Sequence, residues 1–220
     1  MRPLHAALVA ASRSASAVAP LDAGAQGALP RPAGWRLLVD GAARDTVHYV
    51  QMPPGWHITT GPGTLLFDPD YRAAGRFAVE AEIFLFPGTS ESGYGIFVGG
   101  SGLEGPSATY LAYVVRRDGH VRLERVTAGG RQALVDWTRA ESIKPSHGME
   151  EPVRNVLRLS VERDSIVLEA NGSRVTAIPR ADLSVDGVFG FRVGPDVNLH
   201  ASRLDHLRRL APVTLPKEPE

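Results

Sequence analysis

Residues 75–102 read GRFAVEAEIFLFPGTSESGYGIFVGGSG, and their pattern decides the fold class. Between residues 77 and 86, Phe77, Val79, Ala81, Ile83 and Leu85 fall on one parity, and Glu80 and Glu82 on the other. Side chains of an extended chain alternate between two faces, so this period of two marks a strand with one dry face and one wetter face. Pro87-Gly88-Thr89-Ser90 interrupts the run, and residues 94–99 restart it.

The same grammar extends in both directions. Upstream, residues 35–40 (WRLLVD), 48–52, 56–60 (WHITT) and 64–67 (TLLF) read as short strands. Gly61-Pro62-Gly63 predicts a hairpin with a loose connection between the last two, and Asp68-Pro69-Asp70 predicts a loop. The glycine-rich segment 99–106 lacks the Lys-Ser/Thr ending of a phosphate-binding loop and has no helix after it. Downstream, residues 110–116 (YLAYVVR) and 120–126 (HVRLERV) flank Asp118-Gly119, the strongest short-range hairpin signal in the chain. Gly129-Gly130 turns into residues 133–137, and the polar stretch 138–152 predicts a long surface loop with at most one helical turn. Residues 155–161, 166–170 and 174–178, joined through Asp164 and Asn171-Gly172, predict a three-stranded meander. Residues 188–193 and 198–210 close the domain. Roughly twelve short strands at regular spacing, with turn residues between them and no long amphipathic helix, predict an all-β, two-sheet antiparallel β-sandwich of jelly-roll type. One sheet alone could not bury an apolar parity from every strand.

Composition bounds the function classes. The 220 residues are 43% hydrophobic and 22% charged, enough for one sizeable core. Lys+Arg 24 balances Asp+Glu 24, and no basic stripe suited to nucleic acid stands out. Arg122, Arg125 and Arg131 read as a solvated face. Cysteine is absent, which removes disulfides, thiol nucleophiles and thiolate metal sites. Residues 1–33 read as a leader or disordered segment: Arg2, a short apolar run from Leu4 to Ala11, and small-x-small sites such as Ala17-Val18-Ala19. The expectation is a periplasmic or secreted protein, or a cytoplasmic one if this segment is only an alanine-rich tail. No stretch reaches the ~20 apolar residues of a membrane-spanning helix. Residues 34–211 form the predicted sandwich, and 212–220, with three prolines, a frayed tail.

The order of FAVEAEIFLF, GYGIFVGG, YLAYVVRRDGHVRLERV, NVLRLSVERDSIVLEANGSRV and DGVFGFRVG resembles the concanavalin A-like lectin/glucanase superfamily. It is nearest to the laminin-G-like and 3-keto-disaccharide-hydrolase-like jelly rolls. The resemblance covers residues 34–210 and implies the fold. The superfamily includes glycosidases, lectins and silent accessory domains, so fold alone assigns no activity. Its glucanases typically carry Glu-x-Asp-x-x-Glu on one strand. This chain has Glu80-Ala81-Glu82 with Phe84 and Leu85 where a third acid would stand, which argues against a retaining glycosidase.

Glu80 and Glu82 are therefore weak catalytic candidates, because two carboxylates at i and i+2 share a strand face. Trp137 is the leading binding candidate, at the end of a strand and at the mouth of the 138–151 loop, with Tyr113, Arg116 and His147. Sugar rings dock on aromatic faces while their hydroxyls find charged and amide groups nearby. Trp35 and Trp56 read as core. The seven histidines form no HxH or HExxH pair, and His200 and His206 share parity on a strand too long to stay straight. No metal site is expected, although Asp68, Asp70 or Asp186 could hold calcium through loop carbonyls. No Gly-x-Ser-x-Gly elbow is present. The leading expectation is an exported non-catalytic module that binds carbohydrate or a cell-envelope partner. The alternatives are a glycoside-acting hydrolase of the keto-disaccharide type and a structural or protein-interaction domain.

Overall fold

The computed structural model describes residues 32–41, 47–149 and 151–208. The predicted leader, apart from its last two residues, and the predicted proline-rich tail lie outside the described residues. Fourteen strands form two seven-stranded antiparallel sheets packed face to face, with no helix among the described residues. Sheet I runs in the order β1 (Arg36–Val39), β4 (Thr64–Ala73), β13 (Gly187–Val193), β6 (Tyr94–Ser101), β7 (Thr109–Val115), β8 (His120–Thr127) and β9 (Gly130–Arg139). Sheet II runs β12 (Ser173–Pro179), β11 (Ser165–Ala170), β10 (Val153–Val161), β5 (Phe77–Leu85), β14 (Asn198–Arg208), β3 (Trp56–Thr59) and β2 (His48–Gln51).

The inner faces supply the core. Phe77, Val79, Ala81, Ile83 and Leu85 of β5 are buried, while Glu80 and Glu82 point out of the sandwich as their parity predicted. Leu157, Leu159 and Val161 of β10 join them, opposite Tyr94, Ile96, Leu111, Tyr113 and Phe191 of sheet I. Trp35 is core, with ring contacts to Tyr49 at 5.2 Å, Trp56 at 5.1 Å and Phe191 at 5.9 Å. Trp56 is half-buried against the same cluster. The meander β10–β11–β12 forms as predicted, with Asn171 and Gly172 both at positive φ in its second turn, as a tight hairpin twist requires. Asp118-Gly119 joins β7 to β8, with the Arg116 amide donating to the His120 carbonyl at 2.8 Å.

Three expectations are corrected. Gly61-Pro62-Gly63 is not a hairpin: β3 pairs with β2 and β14 in sheet II, and β4 pairs with β1 and β13 in sheet I. The segment is a crossing between sheets, and so is the 86–93 connection, since β5 and β6 also lie in opposite sheets. Asp68-Pro69-Asp70 is not a loop but the middle of β4. The ladder to β13 skips from Phe67↔Gly190 to Arg72↔Val188, so the proline, which lacks an N–H to donate, sits where pairing is interrupted. Trp137 does not end its strand, because β9 starts at Gly130 and continues to Arg139. Residues 140–149 then leave the strand in turns, with the Ile143 amide donating to the Ala140 carbonyl at 3.0 Å.

On β14 the register shifts between Ala201 and Arg203. One extra residue reverses which parity faces the core. His200 accordingly stands on the outer face beside Phe84, whereas His206 packs against Phe77 and Phe189. The two histidines do not share a face.

Candidate functional site

The outer face of sheet I carries a second apolar layer. Leu65, Phe67, Phe97, Tyr110, Ala112 and Val114 are buried there, with Val126 and Trp137 partly buried against them. Alternation explains this: β6, β7 and β13 are apolar on both parities, the pattern of a strand covered on both faces.

Across this floor runs a chain of charges. Arg192 of β13 pairs with Asp40, which follows β1; Arg131 of β9 reaches Asp40 at 3.0 Å and Glu124 of β8 at 3.1 Å. Arg192 and Glu124 are only 5% and 7% exposed. Arg192 Nη1 is buried without a hydrogen-bond partner. A nearly buried guanidinium with an unused donor is costly in a protein interior, where polar groups are ordinarily satisfied. Asp40 is held close above Gly63, where a Cβ would come within 2.5 Å of its Oδ2. Tyr110 lies among these groups: burial pushes its hydroxyl pKa up, against the downward pull of Arg192 and Arg131.

The track continues to Trp137. Arg122 stands 3.8 Å from Glu124 and 5.7 Å from the indole centroid, and the Arg116 guanidinium lies 4.4 Å from that centroid. A cation over an indole face is attracted by the ring quadrupole. The far edge of the indole rests on the backbone at Gly93, where a Cβ would meet its Cη2 at 3.0 Å. Arg116 pairs with Asp118 at 3.0 Å. Burial pushes the Asp118 carboxyl up, but hydrogen bonds from His120 and the charge of Arg116 outweigh it and hold the carboxyl below its usual range.

The structure therefore brings Trp137 and Arg116 together. It separates them from Tyr113, which has the opposite parity, is fully buried between the sheets, and donates its hydroxyl to the Glu169 carbonyl at 3.2 Å. No face of Tyr113 is open to a ligand, which corrects its place among the candidates. His147 is exposed in the 140–152 loop, in a cleft at the end of the sandwich that Arg117 and Asp118 also line. Asp40, Tyr110, Glu124, Arg131 and Arg192 were not singled out as site residues from sequence. The usable signal was an arginine inside the otherwise apolar VFGFRV of β13. Arg122 and Arg131, read as a solvated face, belong to the track.

Glu80 and Glu82 lie on the outer face of sheet II. Glu80 accepts from Arg203 at 2.8 Å and Arg158 at 3.5 Å. Glu82 pairs with Arg154 and accepts from the Ser202 hydroxyl at 2.7 Å. The Ser202 hydrogen bond, helped by Arg154, holds the Glu82 carboxyl below its usual range against the upward push of burial. A general acid in glycoside cleavage needs the opposite shift. Among the described residues no group of three His, Cys, Asp or Glu side chains gathers as a metal site. Asp68 accepts from the Asp70 amide and Asp186 from the Gly75 amide, both at 3.0 Å, so these aspartates act in turn and strand contacts. No helix of the described residues is long and apolar enough to cross a membrane.

No protein-family profile matches the chain, and no curated protein does. Solved structures do. The carbohydrate-binding module CBM66 from Bacillus subtilis superposes with a TM-score of 0.60 at 11% identity, covering 80% of this chain and 96% of that one. The metal-free carbohydrate recognition domain of Emp46p gives 0.54 at 13% identity, covering 79% and 88%. A Bacillus subtilis protein of unknown function with a galectin-like fold gives 0.52 at 14% identity, covering 80% and 90%. At these identities the likeness is one of fold, a two-sheet antiparallel β-sandwich consistent with a concanavalin A-like jelly roll.

Proposed function

We propose that the chain is an exported, non-catalytic carbohydrate-binding module whose ligand lies along the outer face of sheet I. One observation carries this reading. A half-buried tryptophan and a file of arginines with unused donors stand over an apolar floor on one sheet face. Sugars offer both apolar ring faces and hydroxyls that need fixed, charged partners, and such a surface answers both. Arg122 Nε and Arg116 Nε are buried without hydrogen-bond partners, as Arg192 Nη1 is, so the arginines of this face are not fully met by the protein's own acceptors. That fold neighbours include a carbohydrate-binding module and a carbohydrate recognition domain supports the choice of ligand class. The leader-like pattern of residues 1–33 supports export. The Glu80 and Glu82 pairs, each committed to arginine, support a binding role over a hydrolytic one.

The test is a glycan array on the full chain, with and without calcium, followed by titration of any hit. Specific binding that falls at least tenfold in Trp137→Ala is the expected result. Silence across neutral and acidic glycans, in both conditions, would sink the proposal.

A further inference from the structure

Arg117 follows β7 and is 7% exposed, yet it makes no ion pair with any described residue. Its Nε donates to the Ser90 carbonyl at 2.8 Å and its Nη1 to the Ser146 hydroxyl at 3.2 Å. Its Nη2 has no hydrogen-bond partner among the described residues and lies 3.4 Å from where a Cβ on Gly88 would stand. Buried guanidinium groups are ordinarily paired with a carboxylate, because neutral acceptors alone leave the charge uncompensated in a low dielectric. Every other arginine of low exposure on this side of the molecule has such a partner: Arg192 has Asp40, and Arg116 has Asp118.

Arg117 lines a cleft of about 540 Å³ with Arg139, Asp118, Glu91, His147 and Gly88. The walls are anchored. The Ser146 amide donates to the Arg117 carbonyl at 2.8 Å, and the Gly88 amide to the Gly148 carbonyl at 2.9 Å. Asn155 and Asn171 staple the far side of the 140–152 loop, donating to the Lys144 carbonyl at 3.0 Å and the Ser142 carbonyl at 2.6 Å. The other charges here are already spoken for. Asp118 is held by Arg116 and His120, and Arg139 stands 3.6 Å from Glu141. Glu91 is exposed and makes no ion pair with Arg117. Arg117, with no carboxylate partner among the described residues, therefore brings a positive charge to a preformed cleft of sugar size.

We propose that this cleft captures a monoanionic carboxylate, that of an acidic monosaccharide unit, with Arg117 Nη2 as its fixed donor and Arg139 and His147 at the rim. A planar carboxylate matches the fork of a guanidinium. Asp118 joins the cleft to Arg116 and Trp137, so an acidic sugar at the end of a glycan lying along sheet I would enter here. The choice of a sugar as carrier rests on the carbohydrate-binding reading; the need for an anion does not.

The experiment is a titration of the full chain, followed by NMR and calorimetry, with D-glucuronate, D-glucose, acetate and inorganic phosphate. Neutral oligosaccharides from the array serve as a separate readout of the sheet face. D-Glucuronate should bind at least tenfold tighter than D-glucose or acetate, and Arg117→Gln should remove that preference. Because Arg117→Gln could unfold its surroundings, Gly88→Val provides a second variant, which fills the cleft mouth beside Nη2 and leaves Arg117 in place. It should also abolish D-glucuronate binding, while Trp137-dependent binding of neutral glycans persists. Glu91→Gln should tighten D-glucuronate by removing a cleft-lining carboxylate that makes no ion pair among the described residues. Equal binding of D-glucuronate and D-glucose overturns the proposal, as does a D-glucuronate affinity unmoved by Arg117→Gln and Gly88→Val. Tighter binding of phosphate than of D-glucuronate overturns the carboxylate assignment. Destabilisation by Glu91→Gln would identify Glu91 as the counter-ion and overturn the site. Loss of neutral-glycan binding alone, with D-glucuronate capture intact, would count against the sheet-face reading only.

Discussion

The outer face of sheet II and the outer face of sheet I both carry rows of arginines and acids, but they use them differently. On sheet II most of the charges are closed on themselves, although Arg76 Nε and the ring nitrogens His57 Nδ1 and His200 Nδ1 are buried there without hydrogen-bond partners. Glu80 sits between Arg158 and Arg203, Glu82 between Arg154 and Ser202, and Arg158 and Arg203 turn their remaining donors to Glu169 and Asp205. All but Arg203–Asp205, which lies within β14, are cross-strand contacts on the neighbouring β5, β10, β11 and β14, each worth a fraction of a kcal/mol to about 1 kcal/mol. On sheet I the same residue types stand over a buried apolar floor, and three arginines there keep a buried nitrogen without a partner. Saturated pairs stabilise a surface. Unsaturated donors fixed above an apolar layer are a cost to the free protein that a ligand can relieve. Counting charges would have ranked the two faces alike; the buried apolar floor and the indole beneath the sheet I arginines separate them.

This contrast can be broken by experiment. The largest effect is expected from Trp137→Ala, which should cut glycan affinity at least tenfold, about 1.4 kcal/mol or more, with little change in melting temperature. A loss of stability without loss of binding would move Trp137 from ligand platform to packing. Next, Arg192→Met should weaken binding several-fold while changing stability by less than about 1 kcal/mol, since a hydrophobic isostere replaces a buried charge whose donors are only partly met. A large destabilisation there would show that the sheet I network is as structural as that of sheet II. Glu82→Gln should do the reverse, costing about 1 kcal/mol of stability through its charge-assisted bonds and leaving glycan affinity unchanged. Altered binding in that variant would erase the distinction between the faces.

The smallest effect is a pH dependence. The Glu82 carboxyl is held below the ordinary glutamate range in the folded protein, chiefly by the Ser202 hydrogen bond. The unfolded chain then binds its proton more readily, so the contribution of Glu82 is complete above about 4.5 and is lost as pH falls through the folded value. The difference in melting temperature between the native chain and Glu82→Gln should be full near neutrality and vanish in acid. A difference that persists at low pH would mean that shape, not charge, links Glu82 to its partners.

Strand positions, and hence the fold class, were legible because alternation is a local property. Glu80 and Glu82 point outward because Phe77, Val79, Ala81, Ile83 and Leu85 point inward, and no distant contact can change that parity without a bulge. Turn chemistry was legible for the same reason at Asp118-Gly119 and Asn171-Gly172, where positive φ is chemically restricted. Strand partners were not. Gly61-Pro62-Gly63 has the composition of a hairpin, yet the chain crosses to the other sheet there, because Trp56 and Leu66 bury from opposite sides of one core. Nor was the bulge on β14 that sends His200 and His206 to different faces.

The candidate site divides in the same way. Trp137 and Arg116 stood out as residues able to meet a sugar, and they meet each other. Tyr113, three residues from Arg116, lies on the other side of the sheet. Local pattern alone assigns which residues alternate and where the chain turns, and therefore an antiparallel two-sheet sandwich with a mixed charge pattern. It took the packing of the two sheets to show that Asp40, Glu124, Arg131 and Arg192, spread over more than 150 positions, converge above one apolar floor, and that Arg117 is buried with no carboxylate partner among the described residues. Alternation assigns a side chain to a face, but whether a charge on that face finds its partner depends on neighbours brought together by sheet order, which no local pattern encodes.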